Sequence, residues 1–147
     1  MSKILEIGIT KINNGSITNV ETIEITEGKG IKGDRYYIDD NDIRSQITLI
    51  ESENIDYYNS SFKTNFSYKD FRRNLITKDI KLNDLIGKKL SIGSSELLVN
   101  DLCRPCKSLQ ENLGKDNIIK EFLRKGGLRC QILKSGTIKI GDEIKII

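Results

Sequence analysis

The run Asp101-Leu102-Cys103-Arg104-Pro105-Cys106-Lys107 carries two of the three thiols, two cations and the single proline of the chain. An apolar segment ends at Leu102, and Pro105 cannot continue a strand. Its fixed φ suits the first position of a helix, so the run predicts a strand-to-helix junction with Cys106 in the first turn. A thiol placed there meets unpaired backbone N–H groups and the nearby cations Arg104 and Lys107. Both favour thiolate, the form that attacks electrophiles and binds soft metals. A helix terminus contributes only about 0.3–1 kcal/mol, so full ionisation at neutral pH requires cations, a metal or a substrate as well.

Three chemistries use a Cys-x-x-Cys spacing, and the rest of the chain discriminates among them. A structural zinc site needs four ligands, and with no histidine the remaining candidate from the Cys/His set is Cys130. A thioredoxin-like pair belongs at the first strand-helix turn of a βαβ unit, whereas this one lies two-thirds of the way along a strand-rich chain. A single activated thiolate needs only one cysteine in a cationic pocket, and Cys106 fits that role best. Cys103 reads as a small apolar residue at a strand end. Cys130, inside the alternation Leu128-Arg129-Cys130-Gln131-Ile132, reads as core packing.

The absence of histidine also removes the usual general base, which argues against triad hydrolysis and ordinary catalytic zinc. A net charge of +3 is too small to imply nucleic-acid binding by itself, though clustered cations could hold a small anion. At 147 residues one domain spanning 1–147 is expected, large enough to bury about 68% of its unfolded surface. Three cysteines without a secretory leader or a long apolar stretch predict a soluble cytoplasmic protein with no membrane attachment.

The elements that must position Cys106 are mostly strands. Ile4–Ile12 and Ile17–Ile25 flank Asn13-Asn14-Gly15 and predict a hairpin. Gly28–Tyr36 contains the letters GxGxxG, but a hairpin precedes it and polar residues follow, so it is no dinucleotide fingerprint. It is either a surface turn or an anion cradle built on backbone N–H groups, Lys32 and Arg35. Gln46–Ile50 is a short strand, followed by a brief helix over Glu51–Tyr58 with Ser52 as its cap and a loop over 59–65. Asp70–Thr77 is expected as a strand, in which Arg72 and Arg73 point to opposite faces and at most one lines a given pocket. A one-turn helix at Leu82–Gly87 leads to a hairpin across Gly93-Ser94-Ser95. Two short helices broken at Gly114 follow the cysteines and stop at Gly126-Gly127. Leu128–Leu133 and Ile138–Ile140 predict a last hairpin, closed by a strand at Glu143–Ile147. The sum is a mostly β chain, a barrel or sandwich with a few short peripheral helices. The weaker option, a parallel βαβ sheet, has the required alternation only around 97–133.

The ordered set Gly30-Ile31-Lys32-Gly33-Asp34-Arg35-Tyr36, Gln46–Glu51, Arg72-Arg73-Asn74-Leu75-Ile76, Leu102-Cys103-Arg104-Pro105-Cys106-Lys107, Gly126-Gly127-Leu128-Arg129 and Gly136–Asp142 resembles MOSC domains. The family is named for the C-terminal domain of molybdenum cofactor sulfurase. The resemblance spans nearly the whole chain. It implies a MOSC-type β-barrel and the molybdenum cofactor (molybdopterin) as ligand, with a family-level association with pyridoxal phosphate. Cys106 matches the family's hallmark cysteine, which ligates molybdenum or is proposed to carry sulfur as a persulfide. Lys32, Arg35, Arg72 and Arg73 would then pair the cofactor's phosphate and pterin edge, and Asn74 would orient it. Expected partners are the cofactor, the proteins that build or sulfurate it, and a redox partner. The chain would act as a cofactor-dependent oxidoreductase or a sulfur-transfer protein. Two other readings stay open: a non-catalytic anion- or RNA-binding β-barrel module, and thiol-disulfide exchange through Cys103 and Cys106.

Overall fold

The computed structural model describes residues 1–11 and 15–147. Among the described residues, eleven strands form two sheets. The large one has the order β11-β7-β8-β9-β5-β6-β1-β2, from β1 (Lys3–Ile9), β2 (Thr18–Val20), β5 (Ile47–Glu51), β6 (Leu75–Lys78), β7 (Lys89–Ile92), β8 (Ser95–Leu102), β9 (Leu128–Lys134) and β11 (Ile144–Ile146). The small one has the order β10-β3-β4, from β3 (Thr22–Thr26), β4 (Gly30–Ile31) and β10 (Gly136–Lys139). The large sheet curls on itself. Near the start of β1, Ile4 N–H donates to the Asp142 carbonyl at 2.9 Å and Gly141 N–H to the Ile4 carbonyl at 2.8 Å, so β1 meets the segment that feeds β11.

Isoleucine-rich alternation produces this arrangement, because period-two burial gives each strand an inner face. Ile4, Ile7, Leu49, Leu75, Leu97, Val99, Leu128, Cys130 and Ile132 pack inside, against Ile23, Ile25, Ile31 and Ile138 of the small sheet. A register shift between Ile4 and Glu6 lets Ile4 and Ile7 both face inward despite their odd spacing. A second cluster lies on the outer side of β5 and β6, where Ile50, Ile76, Tyr58, Phe71 and Phe122 pack under α1 (Ser52–Phe62) and α3 (Ile118–Glu121). Strands β5 and β6 are parallel and joined through α1, and burial on both faces explains their unbroken apolar runs.

The mostly β architecture with short peripheral helices is as the sequence predicts, with local corrections. The one parallel pair among the described strands is β5–β6. Over 97–133, where alternation suggested a βαβ unit, β8 and β9 are antiparallel. The expected last hairpin does not form, because β9 pairs with β5 and β8 while β10 crosses to β3 in the other sheet. The chain changes sheets at Ser135, and the apolar alternation on either side is the same for both outcomes. The first hairpin's strands pair through Ile7–Val20 and Ile9–Thr18, and its turn at Asn13-Asn14 lies outside the described residues. Helix α1 runs on through Phe62, with Glu51 in the cap position and Ser52 inside the helix. The hairpin at Gly93-Ser94 and the closing strand β11 form as expected. No helix among the described residues is long and apolar enough to cross a membrane.

Candidate functional site

Loops at one end of the large sheet enclose a cleft of about 1180 Å³. That exceeds the ~300–1,000 Å³ of ordinary ligand pockets. Six cations line it (Arg35, Arg44, Lys69, Arg72, Arg73 and Arg129) against three carboxylates (Asp34, Asp70 and Glu111). Cys103 and Cys106 line the same cleft.

Cys106 is exposed and Cys103 buried. The helix begins at Lys107, two residues later than Pro105 at its first position would place it. Cys106 is the extended cap residue (φ −123°, ψ 167°) before α2 (Lys107–Leu113), and Pro105 lies outside the helix. A φ compatible with proline is common to helix starts and to extended loops, and here the extended solution wins. The junction is held from behind: Cys103 N–H donates to the Gly127 carbonyl at 2.7 Å. Arg104 turns away from the cleft lining and pairs with Asp101 at 3.1 Å. The Leu102 N–H and then Arg104 hold the Asp101 carboxyl below its usual range. Cys130 is fully buried and outside the cleft lining, and desolvation pushes its thiol well above the ordinary value.

Arg72 and Arg73 both line the cleft, contrary to the strand-based expectation. A 3-10 turn over Tyr68–Phe71, closed by a Ser67–Asp70 capping box, precedes them, and Arg72 adopts φ 61°. Strand β6 begins only at Leu75, so period-two alternation does not apply to the arginine pair. Arg72 donates from Nη2 to the Gly15 carbonyl at 3.2 Å. Arg73 is buried and bonded to main-chain carbonyls.

Arg35 reaches the cleft from the glycine-rich loop. Asp34 fixes that loop by accepting Thr10 N–H at 2.8 Å and Tyr36 N–H at 3.2 Å, while Arg35 N–H donates to the Thr10 carbonyl. The Arg35 guanidinium stacks 4.6 Å from the Tyr36 ring centre, and its buried Nε has no partner among the described residues. Lys32 is outside the cleft lining, exposed and facing Glu24 at 3.7 Å. Asn74 lines the cleft but is occupied as a brace. Its Oδ1 accepts Thr48 N–H at 3.0 Å and its Nδ2 donates to the Gly8 carbonyl at 3.1 Å, tying β5, β6 and β1 together.

Arg44, Lys69 and Arg129 were not singled out from sequence. Arg129 had a signal: on β9 it alternates with buried Leu128 and Cys130, so it must face away from the core. Its Nη1 donates to the Arg44 carbonyl at 2.7 Å. Arg44 follows Asp42, whose carboxyl it holds down at about 2 through a direct hydrogen bond.

The sequence profile of the MOSC domain matches residues 24–145. The chain belongs to the MOSC domain family. The family is associated with molybdenum cofactor sulfurase-like function. Among solved structures, the chain is similar to the YuaD protein of Bacillus subtilis, with TM-score 0.84 and 17% identity over 99% of this chain and 96% of that one. It is also similar to YiiM from Geobacillus stearothermophilus (TM-score 0.81, 18% identity, 100% of this chain and 75% of that one). YiiM from Escherichia coli aligns at TM-score 0.78 and 17% identity over 100% of this chain and 70% of that one. At these identities the likeness concerns the MOSC fold alone. No curated protein matches the sequence.

The donor set of the cleft suits the molybdenum cofactor, whose phosphate calls for guanidinium and whose metal calls for a soft ligand. The unpartnered Nε of Arg35 and the exposed thiol of Cys106 border one cationic space.

Proposed function

We propose that this MOSC protein binds the molybdenum cofactor in the cationic cleft, with the Cys106 thiolate as metal ligand. One observation carries the reading: an exposed cysteine shares a single cleft with Arg35, Arg72 and Arg73, which lie 33 to 71 residues away in sequence. Arg35 and Arg72 would hold the phosphate, because guanidinium forks match its oxygens in pairs. Arg44 and Arg129 add positive charge to the same cleft. Asn74, with both ends of its amide engaged, would keep the three strands beneath the ligand in register. Cys106 would release its proton to solvent on ligation. The group, when bound, would supply two-electron redox chemistry at the metal. Proteins that build the cofactor and a redox partner are the corresponding partners.

The exposure of Cys106 supports a second reading, a sulfur carrier. Its thiolate would attack the outer sulfur of a donor persulfide; a new S–S bond forms, the donor S–S bond breaks, and the donor cysteine leaves as thiolate.

Metal and pterin analysis of the protein expressed in a cofactor-making host separates these. Stoichiometric molybdenum in wild type and little in Cys106→Ser is the outcome expected for ligation; negligible and equal contents in both would remove it. Intact mass after incubation with a cysteine desulfurase should show a persulfide confined to Cys106 if the carrier reading holds. Salt-dependent RNA binding unaffected by Cys106→Ser would instead favour a simple binding module.

A further inference from the structure

Arg73 is held differently from the other arginines of the cleft. Its residue exposure is 9%, Nε donates to the Gly126 carbonyl at 2.9 Å, and Nη1 donates to the Phe71 carbonyl at 3.1 Å. No carboxylate pairs with it among the described residues. A buried guanidinium bridging two carbonyls fixes their relative positions, because its donors form a rigid planar fork. Arg73 therefore ties the exit of the Tyr68–Phe71 turn to the segment that enters β9.

That segment is the back of the cysteine junction. A Cβ at Gly126 would overlap the Cys103 carbonyl oxygen and meet Pro105 Cδ at 3.3 Å. One residue on, the Gly127 carbonyl accepts the Cys103 N–H at 2.7 Å, and a Cβ at Gly127 would overlap the Leu49 carbonyl oxygen. The contacts run without a gap from the Arg73 guanidinium through Gly126 to Cys103 and Pro105, the residues that deliver Cys106. Seven-residue α2 follows directly and adds little independent rigidity.

We infer that Arg73 is a positioning residue: through Gly126 it sets the Cys103–Cys106 loop so that the Cys106 sulfur faces the cationic wall of the cleft. Its engaged donors serve the loop, leaving Arg35 and Arg72 as the principal anion contacts. The inference rests on the proposed function only in taking Cys106 as the reactive group, and its test needs neither metal nor pterin.

The experiment compares alkylation of Cys106 by anionic iodoacetate and neutral iodoacetamide, read by peptide mapping on the full chain at low salt and normalised to glutathione. Both reagents consume the same thiolate, so their rate ratio is independent of its ionisation and reports the local charge around sulfur. In wild type the ratio should exceed that of glutathione. Arg73→Lys keeps the charge but not the fork, and Gly126→Ala keeps every charge; each should lower the ratio about threefold as Cys106 leaves the screened field of the wall. Tyr58→Phe, which removes the remote hydrogen bond to Asn117, should leave the ratio unchanged while lowering stability. A wild-type ratio in Arg73→Lys overturns the inference, whether or not Arg73→Met loses it, since charge alone would then explain the effect. If Gly126→Ala does not fold, the two Arg73 variants still decide. Failure of the cofactor reading would appear separately, as absence of molybdenum from wild type.

Discussion

The glycine-rich loop of residues 28–36 and the Gly126-Gly127 pair behind the cysteines use the same residue for opposite reasons. Gly28 (φ 75°) has nothing within 4 Å of where a Cβ would sit, and Gly33 (φ 88°) has only Ile9 Cδ1 at 3.8 Å. These are turn glycines, chosen for backbone sign. Gly126 and Gly127 are instead packed so closely that a Cβ on either would overlap a neighbouring carbonyl oxygen. The charges follow the same division. Lys29 and Lys32 face Asp39 (3.0 Å) and Glu24 (3.7 Å), so the loop that looks most like an anion cradle contributes one cation, Arg35, to the cleft. Carboxylates flanking the loop thus occupy two of its three cations.

Gly127→Ala should expose this difference most strongly. The substitution combines φ 99° with a backbone overlap at β5, where no flexible side chain can yield. Urea unfolding should register a loss above ~3 kcal/mol or failure to fold, against about 1–2 kcal/mol for Gly28→Ala, where only the positive φ is strained. Equal losses at the two positions would abolish the distinction between turn and support.

Much of the fold and part of the cleft can be read from the chain itself. Isoleucine alternation sets inner and outer faces, and Pro105 with the unequal thiols singles out Cys106. What alternation could not reveal was a change of backbone state: φ 61° at Arg72 frees both arginines from period-two geometry, and no residue type there announces it. Nor could it reveal partner choice. Strand β10 is equally amphipathic whether it pairs with β9 or, as it does, with β3. Gly126-Gly127 reads in the sequence as a helix stop, whereas α3 already ends at Glu121; the contacts of the glycine pair to Cys103 and Leu49 are tertiary and leave no local pattern.

The cations provide an intermediate test. Arg72→Gln and Lys32→Gln remove one charge each, from inside the cleft and from outside its lining. Titration calorimetry with pyrophosphate should show about tenfold weaker binding for Arg72→Gln, the order expected for losing a charge-assisted hydrogen-bonding partner. Lys32→Gln should change affinity less than about twofold, because an exposed charge facing a carboxylate is largely screened. Comparable losses would return Lys32 to the ligand set and make the loop a cradle after all.

The smallest effect separates the two meanings of glycine most cleanly. Asparagine tolerates positive φ far better than alanine, since its side chain can bond locally to the backbone. At Gly28, with open space around the missing Cβ, Gly28→Asn should therefore cost less than about 0.5 kcal/mol and recover most of what Gly28→Ala loses. The same exchange at Gly127 should recover nothing, because asparagine carries the same Cβ into the Leu49 carbonyl. Denaturation midpoints of the four variants decide the matter. Recovery at Gly28 alone means that conformation limits the loop and close approach limits the support of Cys106; recovery at both positions would mean that φ, not packing, is what the cysteine junction requires.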